Sequence, residues 1–383
     1  MRKKRLFYRA FALTMCLLLL LPQSVAQETS LHDQLQKEIE KISKKWDAVG
    51  VSAAYVRDGK VVDTFAYGYA VRNKEPMTAD TKVRVASISK VIVGIAAHVS
   101  AENGVMDLDA SIDSYFDFNI RRRREDDVIT ARSILTHTSS IDNPDADSGK
   151  YEDIKKHLTS SQAVTAAKSG QIKNWEYSNY AFYVLGAAIE RANNKTMDQI
   201  VNEAFADKMQ IDGSFWGGDI KNPELTATIY NKDHEPYLTK EAQLNVHCKG
   251  VSVNSSVFAG NYRASVYDMG KIVAMLAADG CYEGEQIVSA EVVSALEEYI
   301  PEIVPGEKFY QAQPLRYRED VYGRQSGYYH TGSAYGENNL IIYDPVTKDG
   351  VVVLSTGAYG RDQYGIYAVC GGIADLLLNT EWQ

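Results

Sequence analysis

The segment Val85-Ala86-Ser87-Ile88-Ser89-Lys90-Val91-Ile92-Val93-Gly94 sets one lysine into a run that is otherwise almost wholly apolar. From Ser87 to about Asn103, the positions Ile88, Val91, Ile92, Val93, Ile95, Ala96, Ala97 and Val99 go nearly all the way round a helix, with Gly104 placed to cap its end. Such a helix is buried. Residues three apart share a helix face, so Ser87 and Lys90 point the same way while Ser89 points elsewhere. An unpaired ammonium in an apolar setting is costly, and burial lowers its pKa toward the range where it accepts a proton. A serine hydroxyl needs such a neighbour to become a nucleophile. The helix N-terminus beside Ser87 favours developing negative charge as well. The competing reading is that Lys90 snorkels to solvent and the spacing is chance, since Ser-x-x-Lys alone is a common pattern.

Working outward, the β-rich runs Val51–Val56 and Val61–Tyr67 flank Asp58-Gly59 and read as a hairpin, preceded by a charged helix-like stretch from Leu31 to Trp46. The middle of the chain is mostly helical by pattern. Tyr180 to Asn193 is one candidate, Thr196 to Met209 opens on the capping-box spacing Thr196-x-x-Gln199, and Ser265 to Ala278 ends before Gly280. β character returns at Leu340–Tyr343 and Val351–Leu354, and a last helix runs from about Tyr364 to Leu378. Strands at both ends with helices between them predict one α/β (α+β) lobe built from the two chain ends, about residues 27–86 and 325–383. A mostly helical lobe, about 87–324, is inserted between them.

Two further motifs make the Ser-x-x-Lys specific. Trp175-Glu176-Tyr177-Ser178-Asn179-Tyr180 puts a Tyr-x-Asn at the head of an apolar helix, and His330-Thr331-Gly332 leads into the C-terminal strands. A phenol near an ammonium can shuttle a proton, an amide side chain can hold a substrate carbonyl, and a glycine-bearing strand lets a substrate lie against the backbone. The order of the three carries most of the weight. In them the sequence resembles the serine β-lactamase-like hydrolases, which include class C β-lactamases, D-stereospecific carboxypeptidases and aminopeptidases, and a group of esterases. Ile134-Leu135-Thr136-His137-Thr138-Ser139 resembles that family's Leu-Thr-His-Thr-Ser-Gly turn, with Ser140 where glycine is usual, and Gly104–Asp109 and Val351–Leu354 match its pattern too.

The resemblance covers most of the chain from Val51 to the final helix and implies an antiparallel sheet flanked by helices, in the β-lactamase/transpeptidase manner. It implies that Ser87 attacks an acyl carbon and becomes acylated, that Lys90 and Tyr177 share the general base and general acid roles, and that Asn179 orients the substrate. The oxyanion would sit between the backbone N–H groups of Ser87 and Ser333, beside the His330-Thr331-Gly332 strand, and water would then release the acyl group. His330 stands where β-lactamases and carboxypeptidases of this family commonly carry lysine. A neutral imidazole holds a carboxylate less well than an ammonium. The resemblance therefore ranks an esterase or D-amino-acid-directed peptidase above a β-lactamase or D-Ala-D-Ala carboxypeptidase.

The alternative of another class is a non-catalytic binding or scaffold protein that keeps the fold, against which the intact Ser87, Lys90 and Tyr177 argue. No Gly-x-Ser-x-Gly supports an α/β-hydrolase, no His-Glu-x-x-His or similar spacing suggests a metal, and no cofactor is expected. His137 reads as a hydrogen-bonding residue of a turn, and Lys168-Ser169-Gly170 as a decoy for the third motif, since it precedes Tyr177 and lacks a following strand. Tyr328 and Tyr329 form a pocket wall or pack on a neighbouring strand.

The first residues carry Arg2, Lys3, Lys4, Arg5 and Arg9, then an apolar run from Ala10 to Leu21, Pro22 and Ser24-Val25-Ala26. This reads as a secretory signal peptide cut after Ala26, the run being short of the roughly 20 residues a spanning helix needs, and it predicts a secreted or periplasmic protein with no stable membrane anchor. Loss of five basic and no acidic residues would take the formal net charge from −9 to −14. So acidic a surface repels polyphosphate, which excludes nucleic acid and leaves a small-molecule or peptide substrate, with a cell-wall-derived one in view of the family resemblance. Cys248, Cys281 and Cys370 remain, an odd number, so at most one bridge can form. Cys248 with Cys281 is the expected pair, and burial as small hydrophobes the alternative.

Overall fold

The computed structural model describes residues 30–144 and 148–382, so the segment 1–26 expected to be a signal peptide lies outside the described residues. The chain divides at Leu35. Before it, Ser30–Gln34 form the opening of a helix, where Ser30 Oγ accepts from the Asp33 N–H. From Leu35 onward the chain is one compact body.

Helix α1 (Leu31–Lys45) is followed by strands β1 (Gly50–Arg57), β2 (Lys60–Val71) and β3 (Glu75–Pro76), then by helix α2 (Ser89–Glu102). Further on come α3 (Asn179–Asn193), α4 (Val266–Ala277) and α5 (Ala290–Glu297). The chain closes with β4 (Tyr310–Gln311), β5 (Arg316–Val321), β6 (Arg324–Ala334), β7 (Glu337–Asp344), β8 (Asp349–Thr356) and α6 (Ala368–Leu378). These strands make one antiparallel eight-stranded sheet in the order β4-β5-β6-β7-β8-β1-β2-β3, so the two ends of the chain meet where β8 pairs with β1.

Alternation along the central strands divides the core. Val51, Ala53 and Tyr55 of β1 and Val351 and Val353 of β8 face the layer of α1 and α6, where Leu35, Ile39, Ile373 and Leu377 close over them. Ala54, Val56, Val352 and Leu354 face the other way, against Met269, Ile272 and Val273 of α4. A period of two on a sheet buried on both faces is what sorts side chains into these two layers. Both layers are mostly apolar, Ser52 of β1 being a buried exception, and each fully buried Val, Leu or Ile contributes roughly 1.5–3 kcal/mol.

The sheet claims more of the chain than expected. It begins at Tyr310 rather than near residue 325, and α4, inside the span 87–324 assigned to a helical lobe, packs on β1 and β8. The helix expected from Thr196 to Met209 divides into an α segment, Met197–Val201, and a wider π turn, Asn202–Ala206, with the capping box at Thr196 and Gln199 formed as expected. Cys248, Cys281 and Cys370 are all free thiols, which corrects the expected Cys248–Cys281 bridge. Cys281 is held in a two-residue hairpin strand with its thiol donating to Gln286, whereas the backbone of Cys248 is tied to Asp219 in another loop.

Candidate active site

Ser87 lies in a 3-10 turn, Ala86–Ile88, that leads directly into α2. The turn is held from three sides. Val85 N–H donates to the Tyr262 carbonyl, Asn339 of β7 donates to the Arg84 carbonyl, and Gly332 of β6 lies so close that a Cβ there would collide with the Val85 carbonyl. Gly332 is therefore required by the close approach of the Val85 backbone, where the sequence pattern suggests room for a substrate. Ser89, pointing elsewhere as expected, accepts from the Tyr262 N–H and ties the helix to the same segment.

Lys90 is fully buried. Its Nζ donates to Ser87 Oγ at 3.3 Å, to Asn179 Oδ1 at 2.8 Å and to the Ala259 carbonyl at 2.6 Å, and it sits over the rings of Tyr177 and Phe182. The snorkelling alternative is excluded. Tyr177 keeps its ring centroid 4.9 Å from Lys90 Nζ and interacts electrostatically with it. It is placed by the start of α3, where Ser178 Oγ caps the Ala181 N–H and the Ser178 N–H donates to Nδ1 of His137. His137 also lays its ring 4.4 Å from that of Tyr177, so this turn residue positions the phenol.

The electrostatics favour proton transfer. Burial drives the Lys90 pKa down, opposed in part by Tyr177, and Arg316 pushes it down further. Burial would raise the Tyr177 phenol, but the Lys90 charge, together with the nearby donors of Lys90 and Ser87, outweighs it and lowers the pKa. A hydroxyl between an ammonium ready to lose its proton and a phenol ready to give one up is a workable nucleophile.

Ser87, Tyr177, Thr331 and Ser333 line one open cleft of about 740 Å³. Lys90 and Asn179 stand behind Ser87, in contact with each other. His330 does not line the cleft. It is buried, with Nδ1 against the Thr331 carbonyl, and burial together with the charges of Arg316 and Lys90 keeps it neutral, far below the ordinary histidine pKa. The alternatives for its neighbours divide: Tyr329 lines the cleft, while Tyr328 packs on the opposite face beside Tyr317 and Tyr343.

Sequence reasoning missed Arg316. It lies on β5 opposite Tyr329 of β6, its guanidinium stacks 4.5 Å from the Phe309 ring and 5.9 Å from that of Tyr177, and it lines the cleft. Among the described residues no carboxylate pairs with it. Arg316 thus puts a cation in the cleft on the strand that neighbours neutral His330. Arg316-x-Arg318 on the strand before His-Thr-Gly was the available signal. The Lys168-Ser169-Gly170 decoy is a loop, its lysine paired with Asp126. Among the described residues no three His, Cys, Asp or Glu side chains converge to hold a metal ion.

The profile of the Beta-lactamase family matches residues 35–369. The chain belongs to the Beta-lactamase family. Among curated relatives, the esterase EstB of Burkholderia gladioli is 28% identical over 199 residues, covering 46% of this chain and 49% of EstB. A β-lactamase of Psychrobacter immobilis is 21% identical over 388 residues, 91% of this chain and 90% of that protein. The chain spans half or less of the length of several curated relatives it matches, EstB among them. Of solved structures, the D-amino acid amidase of Ochrobactrum anthropi SV3 superposes with a TM-score of 0.69 at 20% identity, over 90% of this chain and 97% of that one. This Beta-lactamase family member thus shares with its neighbours the mixed α/β fold of a large antiparallel sheet flanked by helices.

Proposed function

We propose that this protein is a serine hydrolase that works through an acyl-enzyme on Ser87, directed to a peptide or ester substrate that presents a free carboxylate, such as a D-amino-acid peptide. The carrying observation is the buried Lys90 ammonium, 3.3 Å from Ser87 Oγ and over the Tyr177 ring. In this mechanism Ser87 Oγ attacks the acyl carbon as its proton passes to Lys90 and Tyr177. The oxyanion rests on the backbone N–H groups of Ser87 and Ser333, donors each worth several kcal/mol, about 3 kcal/mol, in a preorganised site. Tyr177 then protonates the leaving group, Asn179 holds Lys90 in register, and water releases the acyl group by the reverse proton path.

Arg316 supports the carboxylate. A planar guanidinium facing the cleft with no acidic partner among the described residues holds a carboxylate in two parallel hydrogen bonds, which neutral His330 cannot do. Among the activities expected from sequence this favours a peptidase over an esterase for neutral esters. The names of EstB and of the D-amino acid amidase are compatible with ester and amide chemistry at such a site. The basic and then apolar N-terminal pattern supports action outside the cytoplasm.

The test is the intact mass of residues 27–383 after exposure to a serine-reactive fluorophosphonate, beside Ser87→Ala. One adduct on the wild type and none on the variant is expected, and no adduct on either overturns the reading. Arg316→Gln is expected to raise KM about tenfold or more for carboxylate-bearing substrates, with a smaller change for matched neutral esters. An equal change for both would remove the carboxylate from the proposal.

A further inference from the structure

Resting on that reading of the site, the same cleft carries more positive charge than one carboxylate needs. Lys308, Arg318 and Arg361 line it together with Arg316, in a chain whose formal net charge is −9. Only Glu307 and Asp362 oppose them in the lining. Asp362 is committed elsewhere, its oxygens accepting from the N–H groups of Tyr364 and Ile366 and from the Tyr322 hydroxyl.

Arg318 and Arg361 are held ready by the loop between β8 and α6. Arg318 donates to the Tyr364 carbonyl at 2.9 Å and stacks 4.8 Å from that ring. Arg361 stacks 4.5 Å from the Tyr367 ring and donates to the Tyr367 hydroxyl and the Gly365 carbonyl. The loop is itself closed by Asp362 N–H to Ile366 carbonyl and Ala368 N–H to Gly360 carbonyl bonds. Among the described residues neither arginine pairs with a carboxylate. Stacking fixes the plane of a guanidinium, so less rotamer entropy is lost when it grips an anion. Arg316 and Arg318 alternate on β5 and so share a face, about 7 Å apart along the strand.

We propose that Arg318 and Arg361 form a second anion subsite beyond Arg316, and that the substrate carries a second oxyanionic group there, as an acidic or phosphorylated residue next to its terminal carboxylate would supply. The spacing suits an acidic side chain projecting from the residue whose α-carboxylate Arg316 holds.

The test compares N-acetyl-D-alanyl-D-glutamate, N-acetyl-D-alanyl-O-phospho-D-serine and N-acetyl-D-alanyl-D-glutamine. Hydrolysis is followed with the wild-type protein, and equilibrium binding is measured by calorimetry on Ser87→Ala, which needs no catalysis. At least one anionic ligand is expected to exceed the glutaminyl ligand about tenfold in kcat/KM and in affinity, and the stronger one names the source of the anion. Arg318→Gln with Arg361→Gln should bring that ratio close to one. Arg361→Gln alone, at an exposed side chain, should lower it severalfold and serves if the double variant misfolds. Equal behaviour of all three ligands, absence of binding by any, or a ratio that survives the substitutions overturns the subsite. A charge preference in binding without hydrolysis of any ligand would instead leave the subsite standing and remove D-peptide hydrolysis from the proposed function.

Discussion

At the scale of single residues, Lys90 is costly to bury, and its cost points to its use. It is fully buried with three hydrogen-bond acceptors and no carboxylate partner among them. A methionine of similar length would remove the desolvation cost and fit the apolar helix, since exchanging a buried charge for a well-packed hydrophobe is often neutral or stabilising. Lys90→Met is therefore expected to lower the rate of acylation about a thousandfold or more while Tm stays level or rises by a few degrees. Single-turnover kinetics beside a thermal melt checks both halves. A variant that acylates at the wild-type rate would move the base elsewhere. His330 shows the opposite logic: a lysine there would put another ammonium in a buried position beside Lys90 and Arg316, so it would disturb the site rather than strengthen its hold on a carboxylate.

At the scale of elements, the turn after the short helix Ala131–Leu135 shows where this sequence departs from the family it resembles and what the departure costs. The backbone at Ser140 has φ 61°, in the left-handed region that glycine enters freely and a residue with a Cβ does not. The Ser140 hydroxyl is also buried without a hydrogen-bond partner among the described residues. The family's usual glycine has a physical reason at this position. Ser140→Gly is expected to stabilise by about 0.5–1 kcal/mol, after allowing for the greater freedom of glycine in the unfolded chain, and to raise Tm by about 1–2 °C. His137, three residues earlier, sets the position of Tyr177, so the fluorophosphonate rate should stay as in wild type if the turn keeps its shape. A fall in Tm would mean that the serine hydroxyl contributes a contact worth more than the strain.

At the scale of the whole molecule, what could be read from the sequence divides by the range of the forces involved. Ser87 and Lys90 were legible because one helix turn joins them, and the central strands because burial on both faces leaves continuous apolar runs. Strand β5 was not legible: its sequence Arg316-Tyr317-Arg318-Glu319-Asp320-Val321 is charged because one face looks into the cleft, and that face exists only once a distant loop has folded over it. The balance of buried charges is likewise a property of the whole fold. His98, lowered to about 4 chiefly by burial, and His137 and His330, also lowered well below the ordinary histidine value chiefly by burial, stay neutral when folded. The unfolded chain protonates them below about 6.5, so their contribution makes stability rise with pH in that window. Glu190, raised to about 7, Asp198, to about 6, and Glu297, to about 7, all chiefly by burial, act in the opposite sense. The folded state keeps their protons where the unfolded state has released them, so their contribution falls as pH rises from about 4.5 to their folded values. Glu337, raised chiefly by burial, acts with the carboxyls, so the two sets oppose one another between about pH 4.5 and 6.5 and each flattens the slope that the other imposes. Glu297→Gln tests this, because the amide keeps an acceptor for the Tyr343 hydroxyl and removes one carboxyl from the balance. The variant should match wild type near pH 4.5 and exceed it above pH 7 by about 2 kcal/mol after discounting for partial exposure, or about 3 °C in Tm. Melts at pH 4.5, 6 and 8 decide it: a difference that does not grow with pH would mean that Glu297 ionises at its ordinary pKa and that the buried histidines tilt the profile alone.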